Sequence, residues 1–125
     1  MRTVIDTNSA PKAVGNYSQA ILSNNTLYCS GQIAINPKSG KLVLKNIESE
    51  TEQVIKNCLA VLEATGMDFR NVVKCTIFIK NMEDYITINN LYGNYFKLNP
   101  PAREIVEVSA LPKNVNIEMS LIAVK

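Results

Sequence analysis

Residues Pro100–Val108 read PPAREIVEV, and the side on which their arginine falls decides the fold. Pro100 and Pro101 cannot continue a helix, and they bias the chain toward extended backbone. Beyond them Ala102, Val106 and Val108 form one alternating set, and Arg103, Ile105 and Glu107 form the other. This is the period of a strand with one covered face. In the strand expected next, Val115–Val124, the residues Val115, Ile117, Met119, Leu121 and Ala123 point one way. Asn116, Glu118 and Ser120 point the other way. The short connection SALPKN, Ser109–Asn114, makes an antiparallel hairpin the expected pairing, with the two apolar sets sharing the core face. Arg103 and Glu118 then share the second face, directly opposite each other or diagonal according to loop length. As an exposed ion pair they would contribute about 0–1 kcal/mol. That face also carries Ile105, and the neighbouring strands are expected to add Thr76 and Phe78. A half-apolar second face is expected to be covered, by another subunit. An arginine fixed there offers a planar fork of donors to a carboxylate or phosphate.

Further elements follow on either side. Short strands are expected near Arg2–Asp6 and Tyr17–Ile21, and TLYCSGQIAI, Thr26–Ile35, reads as a third. A first helix is expected over Ser49–Thr65, with Ser49 and Glu52 as a capping box and Gly66 in the left-handed position that ends it. Val54, Cys58 and Val61 make its apolar stripe, with Ile55, Leu59 and Leu62 beside them. NVVKCTIFIK, Asn71–Lys80, is the next strand, with Val73, Cys75, Ile77 and Ile79 on one face. A second helix is expected over Glu83–Leu98, with Tyr85, Ile88, Tyr92 and Tyr95 at helical spacing. Strands interleaved with two amphipathic helices imply an α+β sandwich, a mixed six-stranded sheet with both helices on one face.

The 125 residues suit one domain spanning 1–125. The net charge of +2, without a basic run, argues against nucleic acid as the main partner. The absence of histidine excludes a Ser-His-Asp triad, a Cys-His pair and every histidine metal site. Cys29, Cys58 and Cys75 are widely spaced and read as small apolar fillers in a reducing compartment. With no apolar leader and no spanning segment, a cytosolic protein is expected, with no membrane partner.

Five stretches then occur in order: GNYSQA at Gly15–Ala20, CSGQI at Cys29–Ile33, INNLYGNYF at Ile88–Phe96, PPAREIVEV, and LPKNVNIEM at Leu111–Met119. Together they resemble the RidA/YjgF family of reactive-intermediate deaminases, over about Arg2–Lys125. The resemblance implies a chorismate-mutase-like sandwich assembled as a homotrimer around a central barrel, with clefts between subunits. It implies hydrolysis of reactive 2-imino acids, 2-iminopropanoate and 2-iminobutanoate, to 2-keto acids and ammonia, without metal or cofactor. By the same resemblance Arg103 grips the substrate carboxylate and Glu118 orients the attacking water. Tyr17 closes the cleft from the neighbouring subunit, Ser30 and Gly31 line the pocket, and Asn89 lies near it. Two positions depart from the family pattern. Asn16 stands in place of a proline and is expected to loosen the Tyr17 loop. Ile105 stands in place of a cysteine, which leaves only its backbone to bind. A protonated imine is already activated toward water, so orientation matters most, contributing on the order of 7–11 kcal/mol in favourable cases. The competing reading is a non-catalytic trimer that binds small carboxylates such as 2-keto acids. Glu118 argues against it, because an acid beside the arginine gives a carboxylate binder nothing.

Overall fold

The computed structural model describes all 125 residues. In chain order the elements are β1 (Arg2–Ile5), β2 (Ala20–Ser23), β3 (Thr26–Gln32), α1 (Ile47–Glu63), β4 (Val72–Ile79), α2 (Tyr85–Tyr95), β5 (Ala102–Glu107) and β6 (Ile117–Val124). Single helical turns at Phe69–Asn71, Met82–Asp84 and Pro112–Asn114 lie between them. The strands form one six-stranded mixed sheet in the order β1-β2-β3-β6-β4-β5. Every neighbouring pair is antiparallel except β4–β5, which is parallel.

The core lies between one sheet face and the helices. Val54, Ile55, Cys58, Val61 and Leu62 of α1 are buried against Ile117, Met119, Leu121 and Ala123 of β6 and Cys75, Ile77 and Ile79 of β4. Both alternations were therefore legible, with one shift at the start of β4. A register break between Val72 and Lys74 buries Val72 and leaves Val73 45% exposed, so Val73 does not belong to the inward set. Cys29, Cys58 and Cys75 are buried free thiols on this same core.

The helix boundaries differ from the sequence reading at their caps. α1 begins at Ile47 because Asn46, in extended backbone, accepts from the Ser49 N–H at 2.7 Å. Ser49 is thus inside the first turn, and the Ser49–Glu52 capping box does not form. Gly66 takes the left-handed φ of +75° expected of it. α2 runs only from Tyr85 to Tyr95, preceded by a 3₁₀ turn rather than continuous from Glu83.

The hairpin expectation is overturned. β5 and β6 do not pair; both flank β4. The Ser109–Asn114 connection passes over the end of β4, where the Val108 N–H donates to Ile79 O and the Lys80 N–H donates to Asn116 O. In the parallel β4–β5 register Arg103 lies level with Cys75 and Ile105 with Ile77. Arg103 and Ile105 therefore face the helix layer, and Ile105 packs on the core. Val106 is 43% exposed on the other side. A strand between the two partners inverts the parity that direct pairing would have fixed.

The second sheet face carries no helix. Val4, Tyr28, Val106 and Val124 lie on it, exposed by 57%, 51%, 43% and 38%, with Ile21, Phe78 and Ile122 half-buried among them. It is the half-apolar face the sequence implied, although Arg103 and Ile105 are not part of it.

Candidate functional site

The site residues fall into two groups on opposite faces of the sheet. Glu118, Ser30, Gly31 and Tyr17 form the first. Glu118 lies opposite Phe78 on the helix-free face. On its other flank the β3–β6 register slips between Cys29 and Gln32, and this bulge turns Ser30 and Gly31 toward the carboxylate. A Cβ built on Gly31 would lie 2.6 Å from Glu118 Oε2. Gly31 does not take a positive φ, so this glycine is required by space and not by backbone strain. Glu118 makes no salt bridge within the chain, and partial burial pushes its carboxyl above the usual value of 4.5. Ser30 is tied to the preceding loop: its hydroxyl donates to Ser18 O at 2.6 Å, and its N–H donates to Gln19 O at 2.9 Å.

Tyr17 is 53% exposed in that loop, outside β2, and its hydroxyl accepts from the Val14 N–H at 3.3 Å. The loop expected to be loosened by Asn16 is anchored from within by Gln19. That buried amide accepts from the Thr7 N–H at 2.7 Å and donates to Thr7 O and Pro11 O at 3.0 and 2.8 Å. Gln19 stood in the GNYSQA stretch and was passed over; a polar residue at a loop-to-strand boundary was the available signal. Tyr17, Ser30, Gly31 and Glu118 line one cavity of about 530 Å³, together with Lys12 and Lys113. Lys113 and the adjoining Asn114 both have φ of +55°.

Arg103, Asn89 and Ile105 form the second group. Arg103 reaches from β5 to α2, where Nη1 donates to Asn89 Oδ1 at 2.9 Å and Nη2 donates to Tyr85 Oη at 3.3 Å. Its guanidinium carbon lies 4.7 Å from the centre of the Tyr92 ring, a cation–π contact. Tyr85, Asn89 and Tyr92 are spaced to share one side of α2. Sequence reasoning had counted the tyrosines only as an apolar stripe. All the partners of Arg103 are neutral, and no carboxylate of the chain pairs with it. The nearest acid in sequence, Glu104, turns to the other face and pairs with Lys74 at 2.9 Å. β5 is an edge strand. Alternate residues of a parallel ladder turn their backbone groups to the same side, and the Val108 N–H is bonded to β4. The N–H and C=O of Ile105 therefore face the open edge beside Arg103.

Within one chain, then, the sheet separates Arg103 from Glu118. The expectation that they project together from a single strand pair is wrong, because β4 lies between their strands. One group is a guanidinium held by neutral partners, and the other a carboxylate in no salt bridge at the wall of a cavity that Lys12 and Lys113 also line. No cluster of side chains suited to hold a metal ion is present.

Comparisons with known proteins place the chain in a family. A family model described as Endoribonuclease L-PSP matches residues 7–125. The chain is 46% identical to the human 2-iminobutanoate/2-iminopropanoate deaminase over 125 residues, covering 100% of this chain and 91% of that protein. A solved Rid-family protein from Yersinia pestis superposes with a TM-score of 0.97 at 49% identity, covering 100% of both chains. Escherichia coli TdcF, solved with bound serine, superposes with a TM-score of 0.94 at 32% identity, covering 98% of both chains. With fold, length and motifs all matched, the chain belongs to the RidA/YjgF family, the family that the Endoribonuclease L-PSP model describes.

Proposed function

We propose that this protein is a 2-iminobutanoate/2-iminopropanoate deaminase, which adds water across the C=N bond of a short 2-imino acid and releases a 2-keto acid and ammonia. Full-length relatives at 42–46% identity carry that name in human, mouse and cattle. The observation on this chain that carries the reading is Arg103, a half-buried guanidinium held by neutral groups and lacking an acid partner. Burying a cation partly without a counter-ion is costly, and a bound carboxylate removes that cost.

Chemistry follows from combining the two half-sites. Arg103 holds the substrate carboxylate, with Asn89 fixing the guanidinium and the Ile105 backbone at the strand edge. Glu118 takes a proton from a water as its oxygen attacks the carbon of the protonated imine, gives that proton to the carbinolamine nitrogen, and takes the hydroxyl proton as the C–N bond breaks and the C=O forms, passing it to the departing ammonia. Tyr17 covers the cleft, and Ser30 and Gly31 shape its floor. Because one chain holds these groups on opposite faces, the working site requires two copies, with Glu118 of one chain brought against Arg103 of the next. A homotrimer that closes the half-apolar faces into a central barrel provides three such junctions, and exposed apolar area of this kind marks an interaction surface. No metal or cofactor is needed for this sequence of steps. No helix is long and apolar enough to cross a membrane, and we read the protein as cytosolic.

The test generates the imine in situ with an amino-acid oxidase and follows keto-acid or ammonia release. Wild-type protein should accelerate release over buffer, and Arg103→Ala should abolish the acceleration while the sedimentation coefficient stays unchanged. No acceleration by wild type leaves the carboxylate-binding trimer as the function.

A further inference from the structure

Tyr85 is the first residue of α2, one turn before Asn89, and its half-buried ring is 6.0 Å from the Arg103 guanidinium carbon. Its oxygen accepts from Arg103 Nη2 at 3.3 Å, and this is the only side-chain hydrogen bond it makes. A guanidinium carries donors and no acceptor, so the phenolic hydrogen cannot be given to Arg103. Asn89 Oδ1 accepts from Nη1, and the Tyr85 O–H donates to no acceptor of the chain. The free guanidinium hydrogens and the Tyr85 O–H are thus donors left without an acceptor among the side chains around Arg103. A carboxylate has two oxygens, so one can meet the free guanidinium hydrogens while the other accepts from the Tyr85 O–H.

We propose that Tyr85 is a second carboxylate-binding residue, its O–H donating to an oxygen of the substrate carboxylate that Arg103 holds. This rests on the reading of Arg103 as the carboxylate anchor. It makes the half-site selective for an oxyanion over an isosteric neutral group, because an amide would set an N–H against donors.

The test compares wild type with Tyr85→Phe, which keeps the ring on Arg103 and removes only the hydroxyl. Calorimetric titration uses 2-oxobutanoate and 2-oxobutanamide, and steady-state kinetics use the imine formed in situ. Tyr85→Phe should weaken 2-oxobutanoate binding and raise KM by about tenfold, the loss expected for a hydrogen bond to a charged group. The loss should fall on KM more than on kcat, and affinity for the amide should not change. The proposal is overturned if 2-oxobutanoate affinity stays within about twofold of wild type. Equal losses for acid and amide overturn it as well, since they would mean a displaced Arg103. So does a wild type that binds no 2-oxobutanoate. If wild type binds the keto acid, Tyr85→Phe weakens it and no imine is turned over, the carboxylate site stands and the deaminase reading falls.

Discussion

At the scale of single residues, Glu118 and Gly31 act as a unit. Glu118 must be ionised to take a proton from water, and burial raises its pKa above 4.5. Activity should therefore fall as pH drops through that raised value, where the carboxylate becomes protonated and can no longer act as a base. Glu118→Gln should lose this acid limb and retain at most about a tenth of the wild-type kcat, a loss of about 1.4 kcal/mol or more in transition-state stabilisation. A pH–rate profile of both proteins checks it. Gly31→Ala places a methyl 2.6 Å from Glu118 Oε2, so the carboxylate must swing away. We expect a fall of about tenfold or more in kcat with unchanged far-UV circular dichroism, because the backbone at Gly31 suits any residue. The identity of these residues was legible: SGQ and the alternating NIEM stretch carried both. Their contact was not, because it depends on a bulge between Cys29 and Gln32 that leaves no mark on the hydrophobic pattern.

At the scale of elements, β6 is located by a residue that the apolar stripe of α1 conceals. Glu50 is completely buried and accepts from the Asn116 N–H and Asn116 Nδ2, each at 2.7 Å, and from the Ile117 N–H at 3.3 Å. It pins the start of the strand that carries Glu118 to the first turn of α1. Glu50→Ala would leave these donors unpaired and should cost about 3 kcal/mol or more of stability, read as a lower urea midpoint with an unchanged slope. The sequence showed β6 and α1 separately, through the spacing of Ile117, Met119 and Leu121 and of Val54, Cys58 and Val61. It did not show the joint between them, since a glutamate on a helix reads as solvated. The misplaced partner of β5 has the same origin. Alternation fixes which residues of a strand share a side, but the partner decides which side is inward. A six-residue connection, Ser109–Asn114, can close a hairpin or step over one strand, and here it steps over β4.

At the scale of the whole molecule, the two half-sites predict complementation. Arg103→Ala should be inactive and Glu118→Gln should keep at most about a tenth of the wild-type rate, yet unfolding them together and refolding should raise the activity. Every mixed trimer contains one junction where an intact Arg103 meets an intact Glu118. Random assembly in equal amounts then gives about a quarter of the wild-type rate, whereas a site within one chain would give no more than the variants give separately. Sedimentation of the mixture verifies that the trimer has reformed. Of the proposed trimer, residue patterning alone implied only a face in need of cover. The exposed Tyr28 and Val106 mark a face that needs cover, while the order and number of copies around it came from the family resemblance.

The buried thiols give the molecule a built-in clock. Cys58 and Cys75 are inaccessible and Cys29 nearly so, and all three sit on the one core shared by sheet and helices. An alkylating reagent therefore finds nothing to attack until that core opens, and the rate at which mass is added under native conditions reports how often the whole protein comes apart.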